Sequence, residues 1–417
     1  MIKRGHDLHA MAFFVLYVYT IFAQIGYSYF PDLSKLIGAY FGEELFYYYW
    51  LFIFLSFVVT FIIYCFTNPL NYDKIVYKIK PSVNRNKRIL FYLITIVLYI
   101  ILNIFFINNR SMFGWGGGMP MGTVWFVLGF RIFTICTFLL YTLFRNTINT
   151  FNLRVFSFFL FLMCFVFFLS VAIAAGTRSD ILYFFIAVSI FECFPVINTI
   201  RNNKKKILSI VFVGFFVIQF LMTLLSLRTQ SSTTSFSSFL NTETESVSTS
   251  EELASTKLLF QDYYAPSHTL FISMQYGVID PLDTFLSNIS NSFILIKYPF
   301  LTNTIVSKIG YNFERAEGWS YHLFVEGYNA FGWLGIIYNG IFWNLGLAFW
   351  CLLARSNNNY HNKIIISILF FLIVNTMRSQ TCAFIQSFWM ILLPSLFLLL
   401  LSSNSSIVFV KSTNKTT

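Results

Sequence analysis

Residues 311–353 read YNFERAEGWSYHLFVEGYNAFGWLGIIYNGIFWNLGLAFWCLL. Glu314, Arg315, Glu317, His322 and Glu326 fall within thirteen residues of this stretch, and no charged residue follows until Arg355. About 20 apolar residues, at 1.5 Å of rise each, match the roughly 30 Å of hydrocarbon in a bilayer. The second half of the stretch therefore reads as a membrane span, expected at about 325–353. Charge set against the start of a span is costly unless it is used.

The pattern repeats along the chain. Of its 417 residues, 57% are hydrophobic, 21% aromatic and 11% charged, against about 25% charged in an ordinary soluble domain. The fold class is all-α and polytopic. Ten spans are expected, at about 10–30, 45–67, 89–107, 123–144, 155–175, 181–200, 207–227, 325–353, 364–377 and 383–402. The opening MIKRGHD precedes an apolar run too long for a cleaved signal, so it reads as a retained anchor. Six cysteines are scattered without a CxxC pair, which supports neither a disulfide framework nor a zinc site.

Charge sets the expected orientation. The net charge of +11 sits in short clusters between apolar blocks, a topology signal rather than a nucleic-acid surface. With the loop 68–88 placed in the cytoplasm, 18 of the 28 Lys and Arg fall inside, nine outside and Arg131 within a span. Of the 17 acidic residues, 14 fall outside. The expectation is a multi-pass membrane protein with both termini cytoplasmic. It divides into a seven-helix portion over 1–227, a large external loop over 228–324 and a three-helix portion over 325–417. The loop opens with a Ser/Thr-rich arm of low hydrophobicity. It then regains helical periodicity, and PLDTFLSNISNSFILIKYPF at 281–300 reads as an amphipathic helix along the membrane surface or a short re-entrant element. The sequons at Asn288 and Asn404 carry no reading in so Asn- and Ser-rich a chain.

Two constellations point to chemistry. Arg110, Arg131, Arg178, Arg228, Arg315 and Arg378 lie outside or near the outer ends of spans, where the positive-inside rule expects few. Arginine binds phosphate oxygens bidentately and stays charged, so arginines converging at one depth would cradle a diphosphate. Glu317, His322 and Glu326 are the candidate proton acceptors, and in a helix His322 and Glu326 share a face. For each residue a plainer use stands beside this one: snorkelling or ion pairing for the arginines, a local hydrogen bond for His322, and an arginine partner for Glu326. Asp280 and Asp283 in DPLD give only weak grounds for a metal, and no metal site or cofactor is expected. Walker, GxSxG and HExxH motifs are absent.

The AAGTRSD turn with Gly176, Arg178 and Ser179, and the patch with Glu326, Tyr328, Asn329, Phe331, Gly332 and Gly335, resemble the repeat-unit polymerases of bacterial surface polysaccharides. These are the O-antigen and capsule polymerases of the Wzy type. The resemblance implies a GT-C-like, metal-independent, inverting glycosyltransferase that joins undecaprenyl-diphosphate-linked oligosaccharides on the periplasmic face. Undecaprenyl diphosphate would leave, and the partners implied are that lipid-linked substrate, membrane lipid, a chain-length regulator and a flippase. An O-antigen ligase, a lipid-linked oligosaccharide flippase and a membrane acyltransferase remain open as alternatives.

Overall fold

Apolar runs of this length become helices because a backbone in hydrocarbon must satisfy its own hydrogen bonds. A computed structural model describes residues 43–67, 75–81, 85–109, 123–146, 151–174, 178–193, 280–293, 323–353, 359–377, 381–402 and 405–411, with a few shorter pieces such as 12–17. Its helices are α1 (Glu43–Thr67), α2 (Arg85–Asn108), α3 (Thr123–Asn146), α4 (Phe151–Ala174) and α5 (Arg178–Cys193). After the long loop come α6 (Pro281–Phe293), α7 (Leu323–Phe331), α8 (Gly335–Leu353), α9 (Asn359–Met377), α10 (Thr381–Gln386) and α11 (Leu393–Ser402). Among the described residues, five stretches are long and apolar enough to cross a membrane: Tyr47–Phe66, Asn86–Asn108, Leu128–Arg145, Arg154–Ala174 and Phe384–Ser402.

The described residues are almost entirely helical, as an all-α membrane protein requires, with one small addition. Strands β1 (Ile75–Pro81) and β2 (Ser405–Lys411) pair antiparallel, from Ile75 opposite Lys411 to Pro81 opposite Ser405. The segments IVYKIKP and SSIVFVK are rich in β-branched and aromatic residues, which favour an extended pleated backbone. They are the loop and the tail that the charge distribution assigns to one face, so hydrogen bonding and charge agree that these segments lie together.

The ribbon marks one end of the bundle, from which the directions of the long helices can be read. α1 ends at the ribbon, α2 begins there and α11 ends there. Phe105 stacks on Phe126 at 4.8 Å, so α3 returns antiparallel to α2. The 2.7 Å hydrogen bond between the hydroxyls of Tyr92 and Ser157 sets the start of α4 beside the start of α2. Arg145 and Glu192 join the ribbon ends of α3 and α5, and Tyr360 meets Phe191 at 6.1 Å, starting α9 at the same end. α8 runs parallel to α1: Phe52 meets Trp333 near its start, and Asn344 donates to the Thr60 carbonyl at 2.9 Å further on. The starts of α3, α5, α8 and α10 therefore gather at the opposite, far end.

The interior is built from rings and returned hydroxyls. Phe52, Phe91, Phe133, Phe168, Phe324 and Trp343 are fully buried. Thr60, Thr95 and Thr137 donate to the carbonyl four residues earlier, at 2.6 to 2.9 Å, so each hydroxyl is satisfied without water.

Two expected spans are interrupted. The 325–353 span is α7, a 3-10 turn over Gly332–Leu334, and then α8. Gly332 has φ 58°, a left-handed conformation that glycine adopts without steric cost. The 383–402 span is α10, a π-helical segment over Ser387–Leu392, and α11. Of the expected span at 10–30 only residues 12–17 and 21 are described, and of that at 207–227 only residue 208.

Candidate functional site

The break between α7 and α8 brings two backbones together. A Cβ on Gly335 would overlap the carbonyl of Gly327, and one on Gly327 would lie 2.7 Å from the Gly335 carbonyl. Only glycine at both positions permits this crossing. Asn339 fastens it by donating to the Phe324 carbonyl at 3.1 Å. Tyr328 and Trp333 set their rings edge-on against Phe52 of α1, at 5.2 and 5.7 Å. The NAFGWLG motif is thus a folded corner at the far end of the bundle.

Glu326 lies inside this corner with no exposed surface. Its Oε1 accepts from Thr381 Oγ1 at 2.6 Å, Asn288 Nδ2 at 2.7 Å and the Tyr338 hydroxyl at 3.1 Å. Its Oε2 accepts from the Thr381 backbone N–H at 2.9 Å. The donors come from α6, α8 and the first residue of α10, so one carboxyl group joins four helices. Burying such a group without partners is prohibitively costly. Here four neutral donors take the place of water.

α6 is held by more than Glu326. Asp280 begins it as an N-cap, accepting from the Leu282 N–H at 2.7 Å, and Pro281 occupies the first turn, where a missing N–H costs nothing. The capping geometry gives Asp280 a structural use. Further along, Asn288 Oδ1 accepts from the Cys382 N–H at 3.3 Å, Gln386 donates to the Asn291 carbonyl, and Trp389 Nε1 donates to the Ser292 carbonyl at 2.8 Å. The loop helix is thereby laced to α10 and the π-helical segment after it.

The expected site residues divide into two groups. Glu326, Arg131 and Arg178 are described; Glu317, His322, Arg110, Arg228, Arg315 and Arg378 lie outside the described residues. Arg178 opens α5, four residues beyond the last residue of α4, at the far end. Arg131 is partly buried on α3 and lines a cavity of about 30 Å³ with Thr134, Tyr183, Phe184 and Ile368. Glu326, expected as a proton acceptor with an arginine ion pair as its plainer use, meets neutral donors. Sequence reasoning missed Asn288, Tyr338 and Thr381. The signal for Asn288 was the polar stripe Thr284, Ser287, Asn288 and Asn291 at helical spacing, which is there to be read; Thr381 carries no local signal.

The carboxyl group can therefore order four helices. Both of its oxygens accept hydrogen bonds, and it has no exposed surface. The chain matches no protein-family model, no curated protein and no solved structure.

Proposed function

We propose that this protein is a membrane glycosyltransferase of the GT-C-like kind that polymerises undecaprenyl-diphosphate-linked oligosaccharide repeat units on the periplasmic face of the bacterial inner membrane. The observation that carries the reading is the gathering of chemistry at one end. The Glu326 junction, the start of α5 at Arg178, and Arg131 about a third of the way along α3 all belong to the half of the bundle away from the ribbon. On the topology expected from the charge distribution, ten spans with both termini cytoplasmic, that end is outside. Five external arginines, with Arg131 inside a span, are unusual on that side, and a departing diphosphate needs stabilisation of the charge that develops on it.

In this mechanism Arg178, Arg315 and Arg378, with Arg110, Arg131 and Arg228, hold the diphosphate as the anomeric C–O bond to it breaks. A hydroxyl at the non-reducing end of the next lipid-linked unit attacks the anomeric carbon from the opposite face and loses its proton to a base. Glu326 is a positioning residue in the conformation described. It serves as base only if Thr381 and Asn288 release it, so His322 or Glu317 is the better acceptor for that proton. The step needs no metal, and a chain-length regulator and a flippase are the partners it implies.

The test is reconstitution of the purified chain with synthetic undecaprenyl-diphosphate repeat units. Extension to polymer is expected, with shorter products from Arg178→Ala; no extension of the correct unit overturns the reading. Gene deletion separates this reading from a ligase: loss of a polymerase leaves single repeat units attached to the lipid A core, whereas loss of a ligase leaves none.

A further inference from the structure

α6 is amphipathic in an inverted sense. Thr284, Ser287, Asn288, Ser290, Asn291 and Ser292 are each at most 9% exposed, whereas Leu282, Phe285, Leu286, Ile289 and Phe293 are 40–62% exposed. A helix on a water-facing surface buries its apolar stripe and exposes its polar one. From Thr284 to Phe293, every exposed side chain of α6 is apolar. Its inner face is not spare either: the Asn288 side chain bonds Glu326 and the Cys382 N–H, and the backbone carbonyls of Asn291 and Ser292 accept from Gln386 and Trp389. The helix cannot turn its apolar face inward without breaking these bonds.

Length and surroundings identify what covers the outer face. Thirteen residues make a helix of about 20 Å, too short for roughly 30 Å of hydrocarbon. Its acidic residues, Asp280 and Asp283, lie at its start, leaving the rest of the outer stripe with no group that requires water. At the adjoining α7–α8 corner, Phe331, Leu334 and Ile337 are exposed as well.

We propose that the apolar face of α6 is a lipid-contact surface. The helix is sunk in the bilayer boundary, with acyl chains against Phe285 and Ile289 and its polar face clasped by the protein. The loop between residues 228 and 324 is then anchored twice, to the bundle by hydrogen bonds and to the bilayer by side chains. This inference does not depend on the enzymatic reading.

Photocrosslinking in the full chain tests it. The photoreactive residue p-benzoylphenylalanine is placed at Phe285, at Ile289 in a second variant, and at Phe159 as a reference. Phe159 is an exposed position on the membrane-crossing stretch Arg154–Ala174. Each variant is irradiated in vesicles of phosphatidylethanolamine and phosphatidylglycerol. The expected result at 285 and 289 is a mass shift equal to one membrane lipid, in yield comparable to the reference. A crosslink to a second copy of the chain overturns the proposal, because protein then covers the face. A lipid adduct at 159 with none at 285 or 289 also overturns it, because the face is then in water.

Discussion

Glu192 and Glu326 are both acidic residues in an apolar bundle, at opposite ends of it, and they are satisfied in different ways. At the ribbon end, Glu192 faces Arg145, whose Nε and Nη2 donate to its two oxygens at 2.9 and 3.1 Å. The Arg145 side chain is about half exposed. At the far end, Glu326 is wholly enclosed and meets only neutral donors. The first is a charge pair between two neighbouring helices, joined by the Tyr141 hydroxyl at 3.0 Å and open to solvent on the arginine side. The second is a hub whose removal would leave donors from three other helices unpaired. The difference teaches that position in the network, and not charge, decides what a buried acid is worth.

The largest expected effect follows from that contrast. Glu326→Ala abandons buried donors, each costing about 1–3 kcal/mol, so the loss should exceed about 3 kcal/mol. Glu192→Ala leaves the Tyr141 hydroxyl, 3.0 Å from its Oε1, and the half-exposed Arg145 without their carboxylate, and should cost about 1–2 kcal/mol. Unfolding midpoints of the two variants in the same detergent measure the gap, and equal losses would break the comparison. Next comes Gly335→Ala, which drives a methyl group into the Gly327 carbonyl and should cost about 1–3 kcal/mol. Its companion Gly332→Ala meets no neighbouring atom and pays only for the left-handed backbone, about 1 kcal/mol.

Thr381→Val is expected to rank below these. It removes one hydroxyl donor while keeping the backbone N–H on Glu326, a change of about 1 kcal/mol, and Thr381→Ser should restore the wild-type midpoint. The smallest effect is expected from deleting residues 405–417, which removes β2. The ribbon pairs only a loop and a tail, so the Glu326 junction should keep its stability, as the unchanged cost of Glu326→Ala in the truncated chain would show.

Much of the fold was legible because period and composition are local signals. The apolar runs that became α1 to α4 are continuous and about the length of a bilayer, and the positive clusters between them mark a common face. The breaks were harder to see. Gly327, Gly332 and Gly335 were visible as glycines, but their use depends on one backbone crossing another. The ribbon was missed because its strands are separated by more than 300 residues, and charge counting does not read alternation. Glu326 stood out as an acid at the start of an apolar run, yet its partners did not. Asn288 sat in a sequon that carried no reading, and Thr381 looked like ordinary punctuation between helices. Long-range pairing determines a buried network, and a single sequence holds no trace of which donor meets which acceptor.

The central claim is that Glu326 clasps the loop helix α6 to the bundle through Asn288. A double-mutant cycle with Asn288→Ala, Glu326→Ala and the double variant, read as unfolding free energies in one detergent, tests it most directly. Contacting residues in one network couple by about 0.5–3 kcal/mol, and the expected result is a coupling in that range, with the double variant less destabilised than the sum of the single ones. Additive losses would contradict the claim.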